Sequence, residues 1–367
     1  MNVLLRITAK LFPTALIVLL AFSLIRCHED EETLFPDKGY GSDTLNLSDD
    51  DAPVAISDSA TSDSVTIDSV GTDTTTVDTT STSDSVPDST SNVALARERV
   101  IQDYEKNFVE AEVALNAWNG SVDNCEAGNL PPTVLNSALK HINYFRRQVG
   151  LNDDIYFNEE KNAKSQAAAL MMHANGDLDH SPPEDWKCYS ADGAWAASKS
   201  NLAGGVSGQS SISIYIKDHG SGNKDLGHRR WILYSRAKEM GFGSTDRYNA
   251  LWVIGDHARN PTADSLDYIA WPPAGHVIDR LVYDRWSLSV PKANFSESKV
   301  TMKGPEGTVA SSTHLAKKGY GDNTIMWEPQ IQKPTRGKDA VYQVTVSNVI
   351  VDGIARDYSY EVIIIGY

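Results

Sequence analysis

Cysteine is scarce in this chain: only Cys27, Cys125 and Cys188 occur among 367 residues. There is no C-x-x-C pair and no Cys/His spacing of the kind that holds a structural zinc ion. Cys125 and Cys188 can form one disulfide if the compartment is oxidising. Hydrolase signatures are also missing, with no G-x-S-x-G elbow and no H-E-x-x-H pair, so neither of these motifs supplies a nucleophile or a metal site. A basic patch is lacking as well. The net charge is −16, and between His28 and Asn92 sixteen Asp and Glu stand against Lys38 alone, so the remainder of the chain is close to neutral. A near-neutral remainder excludes the electrostatic footprint of a nucleic-acid binder. The longest apolar stretch, residues 11–25, is too short for a comfortable membrane-spanning helix.

That apolar stretch follows Arg6 and Lys10 and ends at Leu24-Ile25-Arg26-Cys27. A basic start and a short apolar segment are the pattern of a secretory signal over residues 1–27. The end of the segment resembles the lipobox of bacterial lipoproteins, in which the cysteine is lipidated, although Arg26 replaces the usual small residue. The resemblance implies a lipid anchor at Cys27 as the contact with the membrane; an uncleaved N-terminal anchor is the alternative. Glu29-Asp30-Glu31-Glu32 resembles the acidic tag that carries some outer-membrane lipoproteins to the cell surface, and reads equally as a solvated charge run.

Residues 28–92 form an acidic stalk, almost entirely Ser, Thr, Asp and Val beyond Gly41. Such a composition cannot bury enough apolar surface to offset chain entropy, and its like charges extend it. A degenerate five-residue repeat sets Asp58, Asp63, Asp68, Asp73 and Asp78 in register, each followed by Ser or Thr and then Ala, Val or Thr. These tripeptides resemble the acceptor of a general bacterial O-glycosylation system, which makes Ser59, Ser64, Ser69, Thr74 and Thr79 the glycosylation candidates.

Beyond the stalk the pattern becomes that of a folded protein. Residues 93–129 read as an N-terminal helical extension, with apolar residues at helical spacing over 93–118 and a stop at Asn119-Gly120. A second helix is expected over 133–149, started by Pro131-Pro132 and ended by Gly150. A third, rich in alanine, is expected over 158–174, and a fourth over 211–217. Residues 222–243 open with turn residues, place His228 between Gly227 and Arg229, and close on Gly241-Phe242-Gly243. This reads as a loop, a buried turn and the edge of a strand, with another strand over 250–254. After the Pro/Gly joint at 269–276 the apolar residues alternate in short runs, as in an antiparallel β-sandwich of immunoglobulin-like size over 273–367.

Several of these segments together resemble the CAP superfamily, the cysteine-rich secretory, antigen 5 and pathogenesis-related proteins. The residues concerned are Asn143-Tyr-Phe-Arg-Arg147, the alanine-rich helix, Asp179-His180-Ser181-Pro182, Ser200-Asn201-Leu-Ala203, Gly227-His228-Arg-Arg and Glu239-Met-Gly-Phe-Gly243. The resemblance spans residues 130–255 and implies a CAP domain over 130–268. The implied fold class is α+β, an α-β-α sandwich followed by the β-sandwich. It further implies a cleft that in many members holds two histidines and two acidic residues. His180 and His228 match the histidines, and Asn201 matches the Asn of the Gly-Glu-Asn motif. Ser200 stands where the motif has Glu, and Tyr215 aligns with the second acidic position, with Asp218 one turn on as a substitute. The resemblance makes His180 and His228 zinc-ligand candidates, with fewer ligands than the family site has. In bacterial relatives cysteines in Gly-Ser-Val-x-x-Cys and Trp-x-Cys-Tyr segments are paired, which implies a Cys125–Cys188 disulfide. His173 lies a helical face away and reads as a surface or packing residue.

Three functions fit this sequence. The first is a surface-anchored binding module whose cleft holds a lipid, a peptide or a glycan. The second is a hydrolase using His180 and His228 as metal ligands or as acid and base, with Ser200 as the one nucleophile candidate. The third is a structural envelope protein with a vestigial cleft. The missing acidic ligands favour the first and third, and the composition implies no nucleic-acid partner.

Overall fold

A computed structural model describes residues 89–113, 118–255, 257–258 and 266–367. The signal segment 1–27 with Cys27, the stalk up to residue 88 and its candidates Ser59, Ser64, Ser69, Thr74 and Thr79 lie outside the described residues.

Helix α1, Ser89–Tyr104, passes into a π-helical turn, Glu105–Val109, closed by Glu110 N–H donating to Glu105 O at 2.8 Å. The expected helix over 93–118 therefore ends early. The reason is tertiary: beyond the turn, Ser137 Oγ donates to Ala111 O, and Gln209 Nε2 donates to Val113 O at 3.0 Å. Those carbonyls are bonded from outside, so helical bonds no longer hold the segment. The wider turn swings Phe108 inward to stack on His141, with centroids 4.3 Å apart.

Helix α2, Pro132–Gln148, begins on proline and ends on Arg146 and Arg147, basic residues suited to the negative end of the helix dipole. Val134, Ala138, Ile142 and Phe145 form its buried face. Helix α3, Glu159–Asn175, is capped by Asn158, whose side chain accepts from Lys161 N, and stops at Gly176 in the left-handed region at φ 67°. Two helices follow, α4 over Ala191–Ala197 and α5 over Ser210–Lys217. The segment read as a buried turn is a one-and-a-half-turn helix, α6, Gly227–Ile232.

Four short strands, β1 (Tyr156–Phe157), β2 (Ser200–Gly204), β3 (Glu239–Ser244) and β4 (Tyr248–Trp252), form a sheet in the order β1-β3-β4-β2. Alternation along β4 divides two cores. Tyr248, Ala250 and Trp252 pack with Ala168, Met171 and Met172 of α3 and with α4, while Leu251 joins α2, α5 and α6 on the other face. This is the α-β-α layering. It needs Gly241 and Gly243: a Cβ on Gly243 would overlap the backbone of Ser165 and Gln166, and one on Gly241 would overlap Lys161. Glycine at both positions lets α3 lie directly on β3.

The C-terminal region is a sandwich of two sheets. One has the order β10 (Ser311–Leu315), β11 (Asn323–Pro329), β7 (Trp286–Val290), β5 (Ile269–Trp271). The other has the order β6 (Gly275–Ile278), β13 (Ile354–Ile365), β12 (Asp339–Val351), β8 (Lys299–Gly304), β9 (Gly307–Thr308). All pairings are antiparallel except β6 with β13, which is parallel. Trp286 and Trp327 are wholly buried between the sheets, and Trp271, paired with Ser287 on the opposite face of its sheet, is wholly buried on the side of α2. One apolar core runs without a break from α2 into the sandwich, and Phe145 meets Trp271 edge-on with centroids 5.2 Å apart. Helix α1 is fastened to the same sandwich by a forked Arg97–Asp339 pair and by Tyr104 against Tyr367.

Candidate functional site

His180 stands in the loop that leaves α3 at Gly176. Asp179 shapes this loop by accepting from Ser181 N at 2.8 Å. The imidazole Nδ1–H donates to Ala197 O, in the last turn of α4, at 2.9 Å. With Nδ1 as donor, the lone pair of a neutral ring lies on Nε2. Burial holds His180 below the ordinary histidine range, against the pull of the Ala197 carbonyl, and the neighbouring His228 lowers it further. The ring is therefore neutral at pH 7, and the two histidines lie within electrostatic reach of each other.

His228 is the second residue of α6. Its Nδ1–H donates to Asp218 Oδ1 at 2.8 Å, and Asp218 Oδ2 accepts from Arg229 N at 3.1 Å. Asp218 closes α5 in the left-handed conformation, at φ 50° and ψ 47°, and its side chain is wholly buried. Asn201 Nδ2 donates to His228 O at 3.0 Å. Alternation along β2 turns Ser200 the other way: its Oγ donates to Ala196 O at 2.7 Å, so the nucleophile candidate is engaged with the backbone of α4. Tyr215 is buried with its ring 5.4 Å from that of His228 and donates its hydroxyl to Asn249 Oδ1 at 2.8 Å.

The structure thus gathers His180, Ser200, Asn201, Asp218 and His228 around the start of β2 and the end of α5. His173 is a packing residue between Trp118 and Tyr248, with centroids 5.8 and 5.4 Å away. The disulfide joins Cys125 to Cys188 and ties the loop before α2 to the loop after His180. Unread in the sequence were the Ala197 carbonyl behind His180 and the arginines around Asp218. The one available signal was Asp218-His219-Gly220 after an apolar helix, a helix stop with a carboxylate at its cap.

A zinc ion needs about four ligands. Each histidine here is held through Nδ1 by a carbonyl or a carboxylate, which is how zinc-bound histidines are oriented. The rest of the donor set does not fit. Both oxygens of Asp218 accept N–H groups, Ser200 and Asn201 are committed to carbonyls, and no group of three His, Cys, Asp or Glu able to hold a metal occurs among the described residues. Asp218 backs His228 and does not replace a family ligand.

The family model described as "Cysteine-rich secretory protein family", CAP, matches residues 139–254. This chain carries a CAP domain. The match covers the sheet, helices α3 to α6, His180 and His228, and stops before the β-sandwich. No curated protein matches the chain. Among solved structures, PcoC, a methionine-rich copper resistance protein from Escherichia coli, is 14% identical at a TM-score of 0.21, over 26% of this chain and 92% of PcoC. Its selenomethionine form is 17% identical at a TM-score of 0.20, over 26% and 94%. Likenesses that slight carry no argument about the CAP domain or its companion.

Proposed function

We propose that this protein is a cell-envelope binding module. Its CAP cleft takes a lipid, peptide or glycan that makes polar contacts with the two histidines. Lipidated Cys27 anchors it to the outer membrane, and the glycosylated stalk holds the CAP domain and β-sandwich away from the surface. The observation that carries this reading is the pair of imidazoles pinned through Nδ1, His180 to Ala197 O at 2.9 Å and His228 to Asp218 at 2.8 Å. Rings pinned in this way keep a fixed direction, and fixed polar groups are what orient a ligand in a pocket. Ser200 is bonded to Ala196 O and supplies no ready nucleophile.

The test is calorimetric titration of the protein with envelope phospholipids, peptidoglycan fragments, neutral oligosaccharides and peptides, beside a His180→Ala/His228→Ala variant. One class should bind the wild type at least tenfold more tightly than the variant. Equal binding to both proteins, or to neither, removes the histidine cleft as the binding site. A second reading rests on the Asp218–His228 pair, since a carboxylate behind an imidazole is the arrangement of a general base. Turnover of any ligand in the same panel, abolished by His228→Ala, would make the module a hydrolase.

A further inference from the structure

We infer that the β-sandwich is a working part of the CAP site and that Arg285, at the mouth of β7, is the positioning residue for His228. The last turn of any helix leaves carbonyls without intrahelical partners. At the end of α5 two arginines take them. From the CAP side, Arg229 donates Nε to Ile216 O at 2.6 Å and Nη2 to Lys217 O at 3.3 Å. From the sandwich, Arg285 donates Nη1 to Asp218 O at 2.7 Å and Nη2 to Gly220 O at 2.8 Å. The two side chains interlock, because Arg229 Nη1 donates in turn to Arg285 O at 2.9 Å and to Ser287 Oγ at 3.1 Å.

Asp218 sits between these forks in a left-handed conformation that non-glycine residues adopt only when their surroundings hold them there. The direction of its carboxylate follows from that backbone. The Arg285 bond to its carbonyl therefore sets where Oδ1 stands, and Oδ1 sets the ring of His228. Arg285 is itself aimed from the sandwich: its Nε donates to Glu328 Oε1 of β11 at 3.0 Å. Glu328 is 41% exposed while Arg285 is only 10% exposed, so the line from solvent to His228 runs Glu328, Arg285, Asp218, His228. A merely adjacent domain would bury apolar surface against the CAP domain without bonding the residue that orients its histidine.

This deepens the binding-cleft reading, but its test uses no ligand, so either idea can fail while the other stands. The full chain, labelled with 15N at histidine only, gives nine imidazoles; His228→Gln identifies the signals of His228. In the wild type the two ring nitrogens of His228 should be well separated, with Nδ1 carrying the proton. Asp218→Asn, which can donate to Nδ1, should collapse or invert that separation. Arg285→Gln should move the His228 signals in the same direction and leave those of His173 as they are. Glu328→Gln should produce a smaller shift of the same sign. A folded Arg285→Gln protein with wild-type His228 signals would overturn the inference. If Arg285→Gln does not fold, Glu328→Gln decides: a shift supports the inference and unchanged signals overturn it.

Discussion

Removing the disulfide should be the most informative single change to stability. The perturbation is Cys125→Ser with Cys188→Ser. The bridge closes a loop of 63 residues, for which the chain-entropy relation gives about 4 kcal/mol at 25 °C. Little nearby would compensate. Lys187 and Asp123, 3.5 Å apart, form an exposed pair of the kind that contributes roughly 0 to 1 kcal/mol. What remains over the loop is a few bonds, chiefly Trp118 Nε1 and Gln166 Nε2, both donating to Ala127 O. Serine also keeps the backbone strain, since both cysteines have positive φ, 54° and 61°. Over the 267 described residues, a loss of about 4 kcal/mol lowers the midpoint by roughly 7 °C. Guanidinium unfolding of the oxidised wild type and the double variant would measure it. The variant's slope with denaturant should be steeper, because the released unfolded chain exposes more surface. Hydrogen exchange should quicken first in residues 118–130 and 177–190. A loss under about 1 kcal/mol with an unchanged slope would refute the loop-closure argument.

Acid should weaken the fold through its buried histidines. Burial holds His141, His173, His180, His219 and His276 below the ordinary histidine value. The unfolded chain therefore binds protons first, near pH 6.5, so the stability these groups contribute is complete above that pH and is lost as pH falls through their folded values. The melting temperature should drop between pH 7 and pH 5, and His141→Gln should flatten the drop; a midpoint that is level or rising toward pH 5 contradicts this. Gly243→Ala, in turn, forces a methyl group into the Ser165–Gln166 backbone and should destabilise by about 1 to 3 kcal/mol or more. Unaltered urea stability would mean that α3 does not lie on β3 as described.

How much of this was legible in the sequence depends on what kind of bond each feature uses. Helix α2 could be read because its start and stop are side-chain signals, Pro131-Pro132 and Gly150, and helix α3 from its alanine-rich run, although the expected range includes its cap, Asn158. Most strands of the sandwich could be read from alternation. Helix α4 was not visible, since its seven residues, Ala-Asp-Gly-Ala-Trp-Ala-Ala, are too few for a period to declare itself. The reading of 93–118 as one helix failed because apolar spacing continues past the point where Ser137 and Gln209 capture the Ala111 and Val113 carbonyls.

The same distinction runs through the site. His180 and His228 are identifiable because a motif records side chains. What fixes them is largely backbone: Ala197 O behind His180, and behind Asp218 its own carbonyl, held from a residue 67 positions away. A carbonyl is common to every residue and leaves no mark on residue identity. The arginines are the exception that could have been noticed. Arg229 and Arg285 are buried guanidiniums, and burial lowers Arg229 to about 10, which still leaves it charged. A buried charge is retained only where it is fully bonded. Here the bonds go to the carbonyls at the end of α5. The histidine site and the sandwich therefore share one polar network, and a change at Glu328 on β11 has a bonded route to the imidazole of His228.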